Sequence, residues 1–91
     1  METNIVKKLN EVLDTLSDDQ EEEKKIINVL MLMLFGKEPK ELPKQFYIKC
    51  IMGNKELETF LRKKLELDVK EVNLVPMSFM FGAPVFQIEL N

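Results

Sequence analysis

The stretch Ser17-Asp18-Asp19-Gln20-Glu21-Glu22-Glu23-Lys24-Lys25-Ile26-Ile27-Asn28-Val29-Leu30-Met31-Leu32-Met33-Leu34-Phe35-Gly36 decides how the chain begins to fold. Ser17 to Gln20 has the form of a capping box, in which serine and glutamine side chains each satisfy an orphan backbone N–H of a helix start. Asp18, Asp19, Glu21 and Glu22 crowd the first turn, where the positive end of the helix dipole favours carboxylates. Gly36 stands at the position where helices commonly reverse into left-handed backbone, and Pro39 follows shortly after. The pattern predicts a helix over 18–35. One continuous helix over 4–35 is the alternative, and the cap signature favours the break at Ser17.

Upstream, Ile5, Val6, Leu9, Val12, Leu13 and Leu16 recur at the spacing of one helical face. Lys7, Lys8, Glu11 and Asp14 fall on the wet side, and Thr3 or Asn4 is the expected cap. Residues 1–36 therefore read as a helical pair. Residues 37–44 form a charged linker in which Pro39 and Pro43 remove backbone donors and favour extended geometry.

Residues 45–91 read as a β-α-β-β unit. In 46–52, β-branched and aromatic residues predict a strand with Phe46, Ile48, Cys50 and Met52 on one face. Asn54 is the expected cap of a helix over 55–66, with Leu57, Phe60, Leu61 and Leu65 inside and Arg62 among the outward residues. A strand over 69–75 follows, with Val72 and Leu74 sharing a face. Pro76 interrupts it, which implies an edge or a bulge. Residues 78–81 are expected as a short strand or as the continuation of the one before. Residues 85–90 alternate cleanly, with Phe86, Ile88 and Leu90 inward. The fold class is α+β, order α-α-β-α-β-β, with a three- or four-stranded mixed sheet. A parallel pairing of the first two strands would require a right-handed crossover. One domain over 1–91 is expected.

Composition excludes several classes of function. Histidine is absent, which removes the commonest acid–base group and metal ligand. The three glycines lie far apart, so no glycine-rich phosphate cradle exists. Cys50, the only cysteine, falls on an apolar strand face and reads as a core residue rather than a nucleophile. The acids between 18 and 23 lack the glycine-punctuated loop of a calcium site. Glu71 and Glu89 are the one pair of strand carboxylates that neighbouring strands can set face to face. No enzyme, cofactor or metal site is expected.

The chain is acidic, with net charge −3, but unevenly so. Residues 1–23 carry two lysines against eight acids, and residues 24–70 carry eleven cations against six acids. A nucleic-acid-binding regulator using the lysine-rich 37–64 is the alternative function, disfavoured by the acidic balance and by the interleaved glutamates. An amphipathic, acidic N-terminus is not that of a signal peptide, and the longest apolar run is too short to span a bilayer. A lone cysteine and no leader place the expectation in the cytoplasm.

The apolar run 26–35 carries the functional expectation. A helix that covers one side of a sheet is apolar over roughly a third of its circumference. This one is apolar nearly all round and needs cover on more than one side. The expected use is protein–protein contact, most simply a homodimer, through Ile27, Leu30, Met31, Leu34 and Phe35. The uncharged segment 76–86 adds Phe79, Phe81 and Phe86 to the expected interface. Base stacking on these aromatics would need nearby cations, and the nearest in sequence is Lys70. Small acidic domains of phages and mobile elements that block a host protein by occupying its surface have a composition of this kind.

Overall fold

A computed structural model describes residues 5–91, without the side chains of Phe79 and Phe81. The capping role expected of Thr3 or Asn4 lies outside the described residues. The chain forms two compact units, residues 1–42 and 43–91, divided inside the proline-rich linker.

The first unit holds α1 (Ile5–Thr15) and α2 (Glu21–Leu34), which pack on each other. The break near Ser17 is present, but α2 starts three residues later than its cap signature predicts. The reason lies in how the box is used. Gln20 Oε1 accepts from the Ser17 N–H at 2.9 Å, which is the glutamine half. The Ser17 hydroxyl instead bonds the side chains of Asp19 and Gln20. A backbone turn from the Gln20 N–H to the Ser17 carbonyl (3.1 Å) closes the corner. At the other end Phe35 is extended (φ −61°, ψ 129°) and Gly36 has φ +75°. The Lys37 N–H donates to the Leu34 carbonyl at 3.1 Å. These are the marks of a type II turn, which needs positive φ at its third residue and therefore selects Gly36.

The second unit holds β1 (Gln45–Lys49), α3 (Asn54–Thr59), β2 (Val69–Leu74) and β3 (Val85–Leu90). The element order is α-α-β-α-β-β, and the sheet has three strands in the order β1-β3-β2. Both pairings are antiparallel. β1 and β2 run the same way, but β3 lies between them, so the β-α-β connection spans one intervening strand. Ile88 faces Phe46 on one side and Val72 on the other, and Phe86 faces Ile48 and Leu74 in the same way. Phe46, Ile48, Val72, Phe86 and Ile88 are buried, and Gln45, Tyr47, Lys49, Glu71 and Asn73 are exposed. One sheet face is thus apolar and the other polar, as period-2 alternation dictates. Leu74, expected beside Val72, is half-exposed at the strand end.

β2 carries a bulge: Val69 pairs with Leu90 and Glu71 with Glu89, leaving Lys70 as the extra residue. That extra residue lets Val69 and Val72, three apart, both be buried.

α3 continues through a π-helical turn over Phe60–Lys64, closed by the Leu65 N–H donating to the Phe60 carbonyl at 3.1 Å. Leu57, Phe60, Leu61 and Leu65 are buried as the spacing predicts. Asn54 does not cap this helix. Gly53 occupies that position, and Asn54 Nδ2 donates to the Val72 carbonyl at 3.0 Å, tying the helix start to β2.

Arg62, expected among the outward cations, ties the other end. Its Nε and Nη2 donate to the Val69 carbonyl (3.2 and 2.9 Å), Nη2 also reaches the Lys70 carbonyl (3.3 Å), and Nη1 pairs with Glu58. A lysine keeps the charge but not the fork. Arg62→Lys is therefore expected to lower the unfolding free energy by about 1–2 kcal/mol, read as a lower urea midpoint. An unchanged midpoint would show that the fork carries no stability.

Candidate functional site

α2 shows one apolar face inward and a second outward. Ile26, Ile27, Leu30 and Leu34 are buried. The exposed stripe runs Glu21, Lys25, Asn28, Leu32, the spacing of one helical ridge, with Val29 and Phe35 beside it. The first three of these residues are charged or polar. Leu32 continues the same ridge as an aliphatic residue and is 74% exposed. Phe35 is 84% exposed, because the extended backbone ahead of Gly36 turns it out of the helical path.

Between these side chains and α1 lies a cavity of about 480 Å³, lined by Val6, Asn28, Met31, Leu32, Leu34, Phe35 and Lys40. Its walls are aliphatic, thioether and aromatic carbon, with one amide and one ammonium among the lining groups. Lys40 is positioned by the turn: its Nζ donates to the carbonyls of Lys37 (3.1 Å) and Leu34 (3.4 Å). Those acceptors are neutral, so the groove keeps a positive charge beside its apolar wall.

Among the eight expected interface residues, the structure separates two groups. Ile27, Leu30, Leu34 and Phe86 are at most 3% exposed and belong to the chain's own core. Leu34 still contributes atoms to the groove floor. Met31 is half-buried and Phe35 exposed, and both line the groove. The side chains of Phe79 and Phe81 lie outside the described residues. Leu32, Val6 and Lys40 also line the site, beyond the residues that the sequence pattern picks out. A signal for Leu32 was present: it stands four residues after Asn28 and seven after Lys25, on the ridge that those polar residues mark as wet.

A second apolar surface lies at the end of the sheet where β1 and β2 finish and β3 begins. Ile51, Leu74, Met77 and Met80 are exposed there. Residues 78–81 form a 3-10 turn rather than a strand. The cause is the Pro76-Met77 corner, in which the Ser78 N–H donates to the Val75 carbonyl at 3.2 Å. Ser78 is buried, and its Oγ accepts from the Val85 N–H at 2.8 Å, a role that removes 78–81 from the ladder. Met77 has φ +62°, a region that costs a residue with a Cβ roughly 1–2 kcal/mol. Met77→Gly removes that strain at a smaller entropic cost in the unfolded chain, for an expected gain of about 0.5–1 kcal/mol. Guanidinium unfolding reads it as a raised midpoint with unchanged slope; a lowered midpoint would mean that the Met77 side chain contributes contacts worth more than the strain.

Several other charged groups are occupied locally. Lys44 Nζ donates to the Asn91 carbonyl at 2.7 Å, so Lys40, Lys44 and Arg62 all spend donors on backbone oxygens. Glu71 and Glu89 are direct cross-strand partners. Asn73 Nδ2 donates to Glu71 (2.6 Å) and Lys70 Nζ lies 3.9 Å from Glu89, which offsets the like charges. Cys50 is buried. Among the described residues, no three of histidine, cysteine, aspartate and glutamate gather as metal ligands would, and no helix is long and apolar enough to cross a membrane.

No protein-family model, curated protein or solved structure matches this chain.

Proposed function

We propose that this chain is a non-enzymatic protein-interaction module acting through the groove on its helical pair. One observation carries the reading: Leu32 and Phe35, at 74% and 84% exposure, stand in water beside an apolar cavity. Scattered exposed apolar residues are ordinary, but adjacent ones rimming a concave surface mark a contact site. Methionine suits such a surface, because an unbranched thioether adapts to its partner. A polar rim of Asn28, Lys25 and Lys40 supplies orientation, as at the edges of protein interfaces.

The test is site-specific photo-crosslinking in cells that produce the chain. A photoreactive residue replacing Leu32 is expected to give discrete protein adducts, and one replacing Glu71 on the polar sheet face is expected to give none. Equal yields from the two positions, or no adduct from Leu32, would remove the groove as an interaction site.

A further inference from the structure

We propose that β1 pairs edge to edge with β1 of a second copy of this chain, antiparallel about a two-fold axis at Tyr47, so that two three-stranded sheets join into one. The proposal concerns the sheet unit and is independent of the groove on the helical pair.

The two edges of the sheet differ. β3 is the central strand, so β1 and β2 each keep one side without a strand neighbour. On β2 that side is closed by nearby groups. The carbonyls of Val69 and Lys70 accept from Arg62, that of Val72 accepts from Asn54, and the Val69 N–H donates to the Leu67 carbonyl at 3.0 Å. The bulge at Lys70 further turns this edge away from a straight partner. β1 has no such protection. The Leu90 N–H donates to the Lys44 carbonyl (2.7 Å) and the Cys50 N–H to the Pro84 carbonyl (3.1 Å), which sets the even-numbered residues of β1 toward β3. The backbone groups of Gln45, Tyr47 and Lys49 therefore point to the open side. Among the described residues, no hydrogen bond reaches them there. The strand pairs with β3 without a bulge and holds no proline.

The symmetry of this row names the partner. A two-fold axis perpendicular to the sheet runs the joined strands antiparallel and keeps both apolar faces on one side. With Tyr47 on the axis, Gln45 meets the partner's Lys49, and every outward N–H and C=O of the row gains a bond. Phe46 then stands beside the partner's Ile48, prolonging the buried face that Phe46 and Ile48 form with Phe86 and Ile88. On the polar face the two Tyr47 rings, half-exposed in one copy alone, meet as a cross-strand aromatic pair. Sliding the pairing one way brings Pro43, which has no N–H, into the row. Sliding it the other way carries Gln45 past the end of β1 and moves the two Lys49 side chains toward each other. A five-residue edge covers less than the roughly 800 Å² per side of a standard interface. The dimer is therefore expected to be weak, with a dissociation constant on the order of micromolar or above.

Sedimentation equilibrium up to millimolar concentration tests the pairing. The wild type is expected to approach twice 10.7 kDa. Tyr47→Pro removes an N–H that the β1–β3 ladder does not use and is expected to weaken association at least about tenfold. Tyr47→Lys sets two ammonium groups opposite each other and is expected to weaken it several-fold, with recovery in high salt. Circular dichroism confirms that each variant is folded, and Tyr47→Lys decides the matter should the proline variant unfold. Under mild oxidation Tyr47→Cys is expected to form a disulfide dimer, and Glu71→Cys, on β2, is expected to form none at the same concentration. Leu32→Glu, in the groove, is expected to leave association unchanged. A strictly monomeric wild type would overturn the second copy. A dimer that survives both Tyr47 variants, that is lost in Leu32→Glu, or that crosslinks as readily from Glu71→Cys would place the contact elsewhere and overturn the pairing of β1.

Discussion

Phe86→Ala is expected to lower the unfolding free energy by about 3–5 kcal/mol, the usual cost of emptying a phenyl site in a packed core. Phe86 sits on the central strand, opposite Ile48 on one side and Leu74 on the other, and is 3% exposed. No neighbouring strand can close over the gap without losing its own register. Domain stabilities are about 5–15 kcal/mol, so the loss takes a large fraction of the total. Urea unfolding followed by far-ultraviolet circular dichroism measures it. A residue of a contact surface would behave differently: its truncation would leave the isolated chain's stability within about 0.5 kcal/mol and change only association. A loss below about 1 kcal/mol would therefore return Phe86 to the surface, where its uncharged sequence context alone would put it.

The second large effect is a contrast between Leu30 and Leu32. Leu30→Ala is expected to cost about 2–5 kcal/mol, and Leu32→Ala less than about 0.5 kcal/mol. Leu30 is fully buried and Leu32 is 74% exposed. The chemistry of the two substitutions is identical, so the difference isolates burial. Thermal or urea unfolding of the pair reads it directly. Equal losses would mean that α2 is rotated about its axis relative to this structure, and the groove would vanish with that rotation.

The contrast also shows what was legible in the sequence. Element order follows from periodicity and punctuation: Gly36, Gly53 and Pro84 stand within two residues of element boundaries, and Pro39 lies in the linker between α2 and β1. Core faces of regular period were equally legible, as Phe46, Ile48, Leu57, Leu61 and Ile88 show. The inward and outward sides of α2 were not. Where apolar residues occupy nearly the whole circumference, hydrophobicity no longer distinguishes the two sides. The i, i+3, i+7 series at Ile27, Leu30 and Leu34 therefore reads as a partner surface in the sequence, although it is core. Only the polar ridge Glu21, Lys25, Asn28 marks the wet side. The loop after Pro76 failed for another reason: Ser78 looks like an unremarkable strand residue until its hydroxyl is seen holding the Val85 N–H. Arg62 and Asn54 show the same limit. Their side chains bond backbone carbonyls supplied by β2, and local sequence does not encode which oxygen will be near.

The unpaired Lys70 in β2 acts as a phase shifter. A strand without it alternates sides strictly, so every apolar position must be an even number of steps from the next. With it, the strand switches parity once, and Val69 keeps step with Val72. Excision of that single lysine would leave composition and hydropathy almost untouched. It would leave Val69 two steps from Val72 in an unbroken ladder, with Leu90, Glu89 and Ile88 still opposite Val69, Glu71 and Val72. Position 70 is thus a place where β2 can lose a residue without any neighbour changing sides, whereas loss of a paired residue such as Asn73 would reverse the facing of everything beyond it, an asymmetry among deletions that hydropathy alone does not reveal.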